Sequence, residues 1–343
     1  MKPVVAIMGA TGNVGRVMLD ILEQRDFPVK ELRPLASARS AGRTVLFRGR
    51  RHTVQQLTPE SFEGVDLVLA SAGAIVSREF APHAVKAGAV VVDNSSAFRM
   101  DEGIPLVIPE ANAHVLETHR GIIANPNCST SQMIVALAPI HRKVGLRRLV
   151  ISTYQSVSGT GKEAMNELLS QSNKALNGEE LDEADCHKYR HPIAFNVIPQ
   201  CDVFTENGYT KEEMKMVNET RKILGDPSIA ITATAVRVPV LISHSETVNI
   251  ETRDPITPDE VRELLRNSPG VEVVDDPASF AYPTPLYAAG RDATFVGRIR
   301  RDISNPNGIE MFIVADNLRK GAALNTIQIA EELIRRNLLR VPR

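Results

Sequence analysis

The stretch VVAIMGATGNVG, residues 4–15, decides the fold of the first part of the chain. The continuous apolar run from Val4 to Met8 is typical of a buried strand, and it leads directly into three glycines spaced GxxGxxG. Apolar residues then recur at helical spacing from Val14 to Leu22, which predicts an amphipathic helix. A strand, a glycine-rich turn and a helix in this order favour a nucleotide-binding unit, because glycine allows a tight turn and the helix N-terminus offers N–H groups to a pyrophosphate.

The alternation of strands and helices continues through the first third of the chain. We expect further strands at Leu32 to Ala36, Leu67 to Ala70, Val90 to Asp93 and Ile122 to Ala124, with a helix over Arg78 to Ala87. This rhythm predicts an α/β domain of the Rossmann type, with a doubly wound parallel sheet.

The pattern of apolar and polar residues changes after residue 128. Longer and more alternating strands, at Leu149 to Gln155 and Val236 to Glu251, accompany helices at Lys162 to Ser172 and Lys211 to Leu224, whereas Pro269 to Gly290 indicates an irregular connection. We therefore expect an α+β domain with a mixed or antiparallel sheet. A helical pattern from Asn317 to Leu339 should pack back on the first domain. The predicted domains are 1–127 completed by 317–343, and 128–316.

Composition narrows the class of protein. The 343 residues are 43% apolar and 24% charged, and 40 basic side chains nearly cancel 41 acidic ones, so no overall field attracts nucleic acid or an anionic membrane. Neither a signal-like nor a membrane-spanning run is present, and the three cysteines form no CxxC pair, which predicts a cytoplasmic protein with thiols rather than disulfides. His187 and His191 lack a third ligand at suitable spacing, so we expect no metal.

The first glycine-rich turn is the candidate dinucleotide site. Its spacing alone does not distinguish the dinucleotide families, so the end of the second strand has to decide between NAD and NADP. Arg39 and Ser40 follow that strand with no acid nearby, and they would bind a 2′-phosphate that a carboxylate would repel. The sequence therefore predicts NADP. The expected contacts in the turn are Gly9, Thr11, Gly12, Asn13, Val14 and Gly15.

Cys128 is the candidate nucleophile. The segment NPNCSTS, residues 125–131, follows a strand and precedes a helical run from Met133 to Leu137. A cysteine at a helix N-terminus is favoured as the thiolate, which is the reactive form, whereas most lone cysteines are small buried core residues. The polar neighbours and the strand-to-helix position favour the nucleophile here.

A cysteine nucleophile needs a proton-transfer partner, and His244 is the candidate. It stands with Arg237 in an otherwise apolar strand region. A straight strand would separate the two residues by roughly 23 Å and turn them to opposite faces. Both can serve one site only if the chain bends, and Pro239 is the expected place. Otherwise His244 is a hydrogen-bonded strand residue.

Two further loops follow predicted strands. Residues 94–99, NSSAFR, carry hydroxyls, backbone N–H groups and Arg99, which together favour an oxyanion cradle. Residues 159–162, GTGK, share part of a P-loop, but Ser156 replaces its first glycine and Glu163 its final hydroxyl residue. We expect this loop to lie against substrate or nicotinamide rather than ATP.

Taken together, these segments resemble bacterial aspartate-semialdehyde dehydrogenases along nearly the whole chain. The matching motifs, in order, are GATGNVG, DNSSAFRM, PNCSTSQ, YQSVSGTGKEA, IAFNVIPQ, EEMK, RVPVLISHSE and DNLRKGAALNTIQIAE. The resemblance implies NADPH-dependent reductive dephosphorylation of β-aspartyl phosphate to aspartate semialdehyde, on the route to lysine, threonine, methionine and isoleucine. It implies that Cys128 forms the acyl-enzyme, that His244 is the acid/base, and that Gln155 and Arg237 hold the substrate.

The same resemblance assigns the remaining ligands. Arg99 and Lys215 would bind inorganic phosphate or the acyl phosphate, and Glu212 would be a further acid of the substrate site. The cofactor would also contact Ser158, Gly159 and Asn317. A homodimer built through the second domain is implied as well.

Two other functions compete with this interpretation. N-acetyl-γ-glutamyl-phosphate reductases share the chemistry, but their cysteine segment usually resembles GCYPT, whereas this chain has NCSTS. A non-catalytic NADP-binding sensor would need neither a cysteine at a helix start nor an anion-binding pair of Arg99 and Lys215. Substrate protection of Cys128 from alkylation would separate an enzyme from such a sensor.

Overall fold

The computed structural model describes residues 2–340, which form two compact units. The first unit extends to Asn127 and resumes at Ala322, and the second is Cys128–Gly321. The return to the first unit therefore begins a few residues after position 317, where the sequence placed it, and residues 341–343 lie outside the described part. Among the described residues, no helix has the length and apolar character needed to cross a membrane.

The first unit is built on a parallel sheet, as the sequence predicted. Its strands and helices in chain order are β1 (Val4–Met8), α1 (Asn13–Gln24), β2 (Glu31–Ala36), β3 (Thr44–Phe47), β4 (Arg50–Thr53), β5 (Gln55–Gln56), β6 (Leu67–Ala70), α2 (Ala74–Lys86), β7 (Val90–Asp93), α3 (Pro109–Asn112) and β8 (Ile122–Ala124). The sheet order is β5-β2-β1-β6-β7-β8, and β3 and β4 form a separate hairpin. The order reverses beside β1, which places the glycine-rich turn at the crevice where such folds bind nucleotides.

The second unit holds a mixed sheet, which confirms the predicted α+β class. Its elements are α4 (Cys128–Val144), β9 (Leu146–Gln155), α5 (Lys162–Leu176), α6 (Lys211–Leu224), β10 (Ala230–Arg237), β11 (His244–Thr252), α7 (Pro258–Arg266), β12 (Val271–Val273), α8 (Pro285–Ala288), β13 (Thr294–Arg301) and β14 (Gly308–Ala315). The sheet order is β10-β9-β11-β14-β13-β12, with β10 parallel to β9 and β11 antiparallel to both β9 and β14. The last helix, α9 (Leu324–Arg335), packs in the core of the first unit.

One face of the second sheet carries the core. Val248 and Ile250 of β11 pack with Met133 and Leu137 of α4 in one buried cluster. These residues are two apart on the strand and four apart on the helix, so each pair occupies a single face of its element. The alternate positions of the sheet face away from this cluster, and Tyr154 of β9 is 37% exposed there.

Three predictions about secondary structure were wrong in detail. Residues 236–251 do not form one strand, because the chain leaves the sheet after β10 and re-enters it at β11. The helix predicted over 317–339 begins with a π-helical turn at Arg319–Ala323 and ends at Arg335, shortly before Asn337 adopts a left-handed conformation with φ of 59°. The segment 269–290 is not wholly irregular, since it contains β12 and α8.

Candidate active site

Three neighbouring strands bring Gln155, Arg237 and His244 to one end of the second sheet. In the parallel pairing of β10 with β9, Arg237 lies opposite Gln155. In the antiparallel pairing of β11 with β9, Ser245 lies opposite Tyr154, so His244 is level with Gln155. The last residue of β10 and the first of β11 therefore flank the last residue of β9.

The bend expected near Pro239 is the loop 238–243. The N–H of Val157 donates to the carbonyl of Val240 at 2.9 Å, and the N–H of Ser158 donates to that of Leu241 at 3.2 Å. The loop ends at Ser243, whose φ of 77° lies in the left-handed region and reverses the chain into β11. These bonds fasten the loop to the turn after β9 instead of extending the strand.

His244 is completely buried, and its environment defines its protonation. The backbone N–H of Ser156 donates to Nδ1 at 3.0 Å, so Nδ1 is an acceptor and the neutral ring carries its proton on Nε2. Burial, reinforced by the positive charge of Arg237, lowers the pKa of His244 to about 3. Within residues 2–340, Nε2 has no hydrogen-bond partner. The ring is thus a neutral donor aimed at whatever occupies the site.

Arg237 and Gly159 lie against this histidine. Nη1 of Arg237 donates to the carbonyl of Ser156 at 2.7 Å, while its Nε, also buried, has no partner in the described chain. A Cβ added to Gly159 would lie 3.1 Å from Nε2 of His244 and 3.2 Å from Nη1 of Arg237. The absence of a side chain at residue 159 therefore keeps the space between the imidazole and the guanidinium open to a small ligand.

Gln155 joins a chain of charged groups. Its Nε2 donates to Glu212 at 3.3 Å, and Nζ of Lys215 donates to Glu212 at 3.0 Å and to Asp202 at 2.8 Å. Burial alone would lower the pKa of Lys215, but the two carboxylates outweigh it and raise that pKa above its usual value. Lys215 is therefore a fixed ammonium group. The sequence reasoning missed Asp202, which has no motif around it.

Cys128 is the first residue of α4, as predicted. One helical turn later, Nε2 of Gln132 donates to the carbonyl oxygen of His244 at 3.3 Å, so the first turn of α4 packs against the start of β11. A Cβ on Gly321 would lie 2.7 Å from Cβ of Cys128, and a larger residue there would displace the thiol. The sequence reasoning did not single out Gly321. All three cysteines are thiols rather than half-cystines.

Asn317 forms hydrogen bonds with the loops around His244. Its Oδ1 accepts from the N–H of Ser243 at 2.9 Å and from the hydroxyls of Ser156 and Ser158 at 3.2 and 3.1 Å. The predicted cofactor contacts Ser158, Gly159 and Asn317 thus lie together around one buried amide. Their hydrogen bonds explain why the turn after β9 keeps its conformation.

The first unit contains the glycine-rich turn in the expected place. The backbone of this turn is tightly packed, since a Cβ on Gly15 would lie 2.3 Å from the carbonyl oxygen of Gly9, and Gly9 itself has φ of 94°. Gly12 is the N-cap of α1, with no side-chain cap, so the N–H groups of Asn13 and Val14 begin the helix. These features fit the close approach of a phosphate.

A cavity of about 380 Å³ adjoins this turn. Arg39 and Ser40 line it from a 3₁₀ turn that directly follows β2. The other residues that line it are Gly9, Thr11, Gly12, Ala36, Ser37, Leu57, Ser71, Ala72, Val76 and Phe80. An apolar wall with one arginine and several hydroxyls fits the adenosine end of a phosphorylated dinucleotide. Ser71 and Ala72 were not predicted, although they follow β6 at the same sheet edge.

Arg99 belongs to the first unit and is largely buried. Its Nε donates to the carbonyl of Asn125 at 2.9 Å and its Nη2 to that of Asn94 at 3.1 Å. The loop that carries it is fastened by Asp93, whose carboxylate accepts from the hydroxyls of Ser77 and Ser95, both at 2.7 Å. Burial raises the pKa of Asp93. The guanidinium is therefore set in a rigid loop.

Comparison with known proteins identifies relatives along the whole chain. The NAD binding domain of semialdehyde dehydrogenases matches residues 4–119, and the semialdehyde dehydrogenase dimerisation domain matches residues 137–320. An aspartate-semialdehyde dehydrogenase of Legionella pneumophila is 55% identical over 98% of this chain and 97% of that protein. The crystal structure of aspartate semialdehyde dehydrogenase II of Vibrio cholerae complexed with ASA superposes with a TM-score of 0.94 at 49% identity, covering 98% and 99% of the two chains. That of Candida albicans with NADP superposes with a TM-score of 0.76 at 25% identity, covering 98% and 100%.

Proposed function

The chain belongs to the aspartate-semialdehyde dehydrogenase family, and we propose that it carries out the NADPH-dependent reductive dephosphorylation of β-aspartyl phosphate to aspartate semialdehyde. This reaction serves the biosynthesis of lysine, threonine, methionine and isoleucine. The observation that carries the proposal is the packing of the Cys128 end of α4 against His244, level with Gln155 and Arg237.

The first step of the proposed reaction is acyl transfer to Cys128. The thiolate, favoured at the start of α4, attacks the acyl carbon of the substrate; a C–S bond forms and the bond to the phosphate oxygen breaks. We assign Arg237 to the α-carboxylate of the substrate, because its buried guanidinium can form a bidentate pair with a carboxylate. The adjoining amide of Gln155 would orient the substrate. Glu212 would complete the pocket by holding that amide.

Two cations would hold the departing phosphate. Lys215 is a fixed ammonium, and Arg99 is held in a rigid loop by backbone carbonyls. Both are suited to an anion because neither has to be ordered at the moment of reaction. Inorganic phosphate, a co-substrate in the reverse direction, would use the same pair.

The second step reduces the thioester. NADPH, when bound, supplies the hydride, and the cavity beside the glycine-rich turn is suited to its adenosine end, with Arg39 and Ser40 at the 2′-phosphate. His244 carries its proton on Nε2, so it can donate a hydrogen bond to the oxygen that becomes negative as the carbonyl is reduced. When the C–S bond breaks, that oxygen becomes the carbonyl oxygen of the aldehyde and the thiolate of Cys128 is regenerated, while Nε2 keeps its proton.

We also propose a homodimer and a cytoplasmic location. The matched dimerisation domain includes the second sheet, whose outer face carries Tyr154 and Phe312 with ring centroids 6.4 Å apart. Partly exposed aromatic residues on a sheet face are typical of interfaces between subunits. Charge introduced by Tyr154→Asp should shift the mass in light scattering from dimer to monomer.

The cytoplasmic location is supported by the thiols of Cys186 and Cys201, which fit a reducing compartment.

One assay tests the reaction and its nearest rival together. NADPH formation from aspartate semialdehyde should require inorganic phosphate, and N-acetylglutamate semialdehyde should give little turnover. Cys128→Ser should abolish turnover and leave NADP affinity nearly unchanged. Preference for the N-acetylated substrate, or substantial activity of Cys128→Ser, would refute the proposal.

A further inference from the structure

A second pair of polar residues lies directly beneath the reacting groups. Gln132 follows Cys128 by one turn of α4, so both side chains are on the same helix face. Glu246 follows His244 by two residues in β11, so both are on the same sheet face. Nε2 of Gln132 donates to Oε1 of Glu246 at 2.9 Å as well as to the carbonyl of His244. Gln132 and Glu246 therefore join the two elements that carry the proposed nucleophile and acid/base.

Among residues 2–340, no cation contributes to the environment of Glu246. The side chain is completely buried, and its neighbours across the sheet are Thr153 of β9 and Ile313 of β14. From α4, Gln132 faces it with a neutral amide, and His244 on its own strand is a neutral imidazole. Oε2 of Glu246 has no hydrogen-bond partner among the described residues.

An ionised carboxylate in this position would be doubly unfavourable. A buried charge without a cation is strongly destabilising, and a negative charge below the thiolate of Cys128 would repel the form that reacts. Burial raises the pKa of Glu246 well above its usual value, in agreement with the geometry. A neutral acid, in contrast, keeps the hydrogen bond from Gln132 and adds no charge.

We propose that Gln132 and Glu246 form a positioning pair that keeps the first turn of α4 in register with the start of β11. Glu246 acts in this pair as a neutral carboxylic acid. The pair does not touch the substrate; it acts through the elements that carry Cys128 and His244. Only the expected effects on kcat and KM rest on the proposed function; the contact between the two residues and the neutral state of Glu246 do not.

The kinetics of four variants test whether the pair keeps α4 and β11 in register. Glu246→Ala and Gln132→Ala should each lower kcat by about tenfold, because a small misplacement of reacting groups slows the chemical step, while KM for the semialdehyde stays within about twofold. Since Glu246 acts through its contact with Gln132, the double variant should lose about as much as Gln132→Ala alone. Glu246→Gln keeps the neutral acceptor and should retain most of the activity.

Val248→Ala is the matched control. Val248 is buried on the same face of β11, two residues beyond Glu246, and packs in the core. Its truncation should lower the melting temperature without lowering kcat. Unchanged kcat in both single variants, or a loss in the double variant equal to the product of the single losses, would overturn the positioning role.

The charge state has a test that needs no substrate. The pH dependence of Cys128 alkylation by iodoacetamide, followed by mass spectrometry of its peptide, should have the same midpoint in wild type and in Glu246→Gln. A midpoint that moves to lower pH in Glu246→Gln would show that wild-type Glu246 is ionised and would overturn the proposal. If wild type shows no turnover of aspartate semialdehyde, the proposed function fails, while the alkylation midpoints still decide the protonation of Glu246.

Discussion

Replacement of Gly159 by alanine tests the central geometry of the site with a single methyl group. Its φ lies outside the left-handed region, so alanine is allowed there, but the new Cβ would lie 3.1 Å from both Cε1 and Nε2 of His244 and 3.2 Å from Nη1 of Arg237. Ordinary carbon contacts are about 3.5–4.0 Å, so the imidazole and the guanidinium must move apart by a few tenths of an ångström. Because a misplacement of about 1 Å can cost about a hundredfold in rate, we expect kcat/KM to fall by roughly tenfold.

The assay is phosphate-dependent NADPH formation, measured beside the melting temperature. Gly308→Ala is the matched control, because its new Cβ would lie 2.5 Å from Cβ of Asp302, far along the sheet from His244. The control should lower stability and leave kcat/KM unchanged, whereas Gly159→Ala should lower kcat/KM with little effect on melting. Full activity in Gly159→Ala would refute the convergence of His244 and Arg237 around the substrate.

Three further predictions concern cofactor choice, acid stability and phosphate binding. Arg39→Ala should raise KM for NADP by about tenfold or more and leave that for NAD nearly unchanged, since only the 2′-phosphate loses a charged partner; an equal change for both cofactors would contradict the assignment. Because the folded state lowers the pKa of His244 from 6.5 to about 3, its contribution to stability is complete above the higher value and is lost as the pH falls. Between pH 7.5 and pH 5, urea unfolding should therefore show that wild type loses about 2 kcal/mol more than His244→Gln, and an equal loss would contradict the buried neutral ring. Arg99→Gln should raise KM for phosphate by about tenfold at unchanged KM for NADP, and an unchanged phosphate KM would exclude that role.

The central strands of the parallel sheet in the first unit could be predicted from sequence almost residue by residue, whereas β3, β4 and β5 were not predicted. β1, β6, β7 and β8 have the predicted bounds, because strands buried on both faces of a parallel sheet are short continuous apolar runs. The second unit was harder. β13 was missed because Arg298, Arg300 and Arg301 interrupt its apolar pattern, and Arg298 sits at an irregularity of the ladder with φ of 54°.

The single strand predicted over 236–251 shows why tertiary contacts decide such cases. The apolar residues from Val238 to Ile242 have strand composition, but only the N–H of Val238 still bonds to β9, at Gln155, and the carbonyls of Val240 and Leu241 accept from the turn after β9. Gln155, Arg237 and His244 were identified from motifs and resemblance, yet their alignment across three strands depends on pairing between distant segments. Asp202, Gly321 and Glu246 were not singled out, although Gly321 and Glu246 lie inside matching motifs, because the role of each depends on a contact with a residue distant in sequence.

Arg237 links substrate binding to the acid/base properties of His244. Burial and then the charge of Arg237 lower the pKa of that histidine, and the guanidinium lies across the space that Gly159 leaves open. In the proposed complex the substrate carboxylate neutralises Arg237, so the second of these two effects weakens and the pKa of His244 rises when substrate binds. Protonation would place a second proton on Nδ1 and break the hydrogen bond that Ser156 N–H donates there, so activity should be lost below this pKa. The pH profile of kcat should therefore have its acidic midpoint at a higher pH than the pH profile of kcat/KM. The reverse order would mean that Arg237 does not meet the substrate carboxylate.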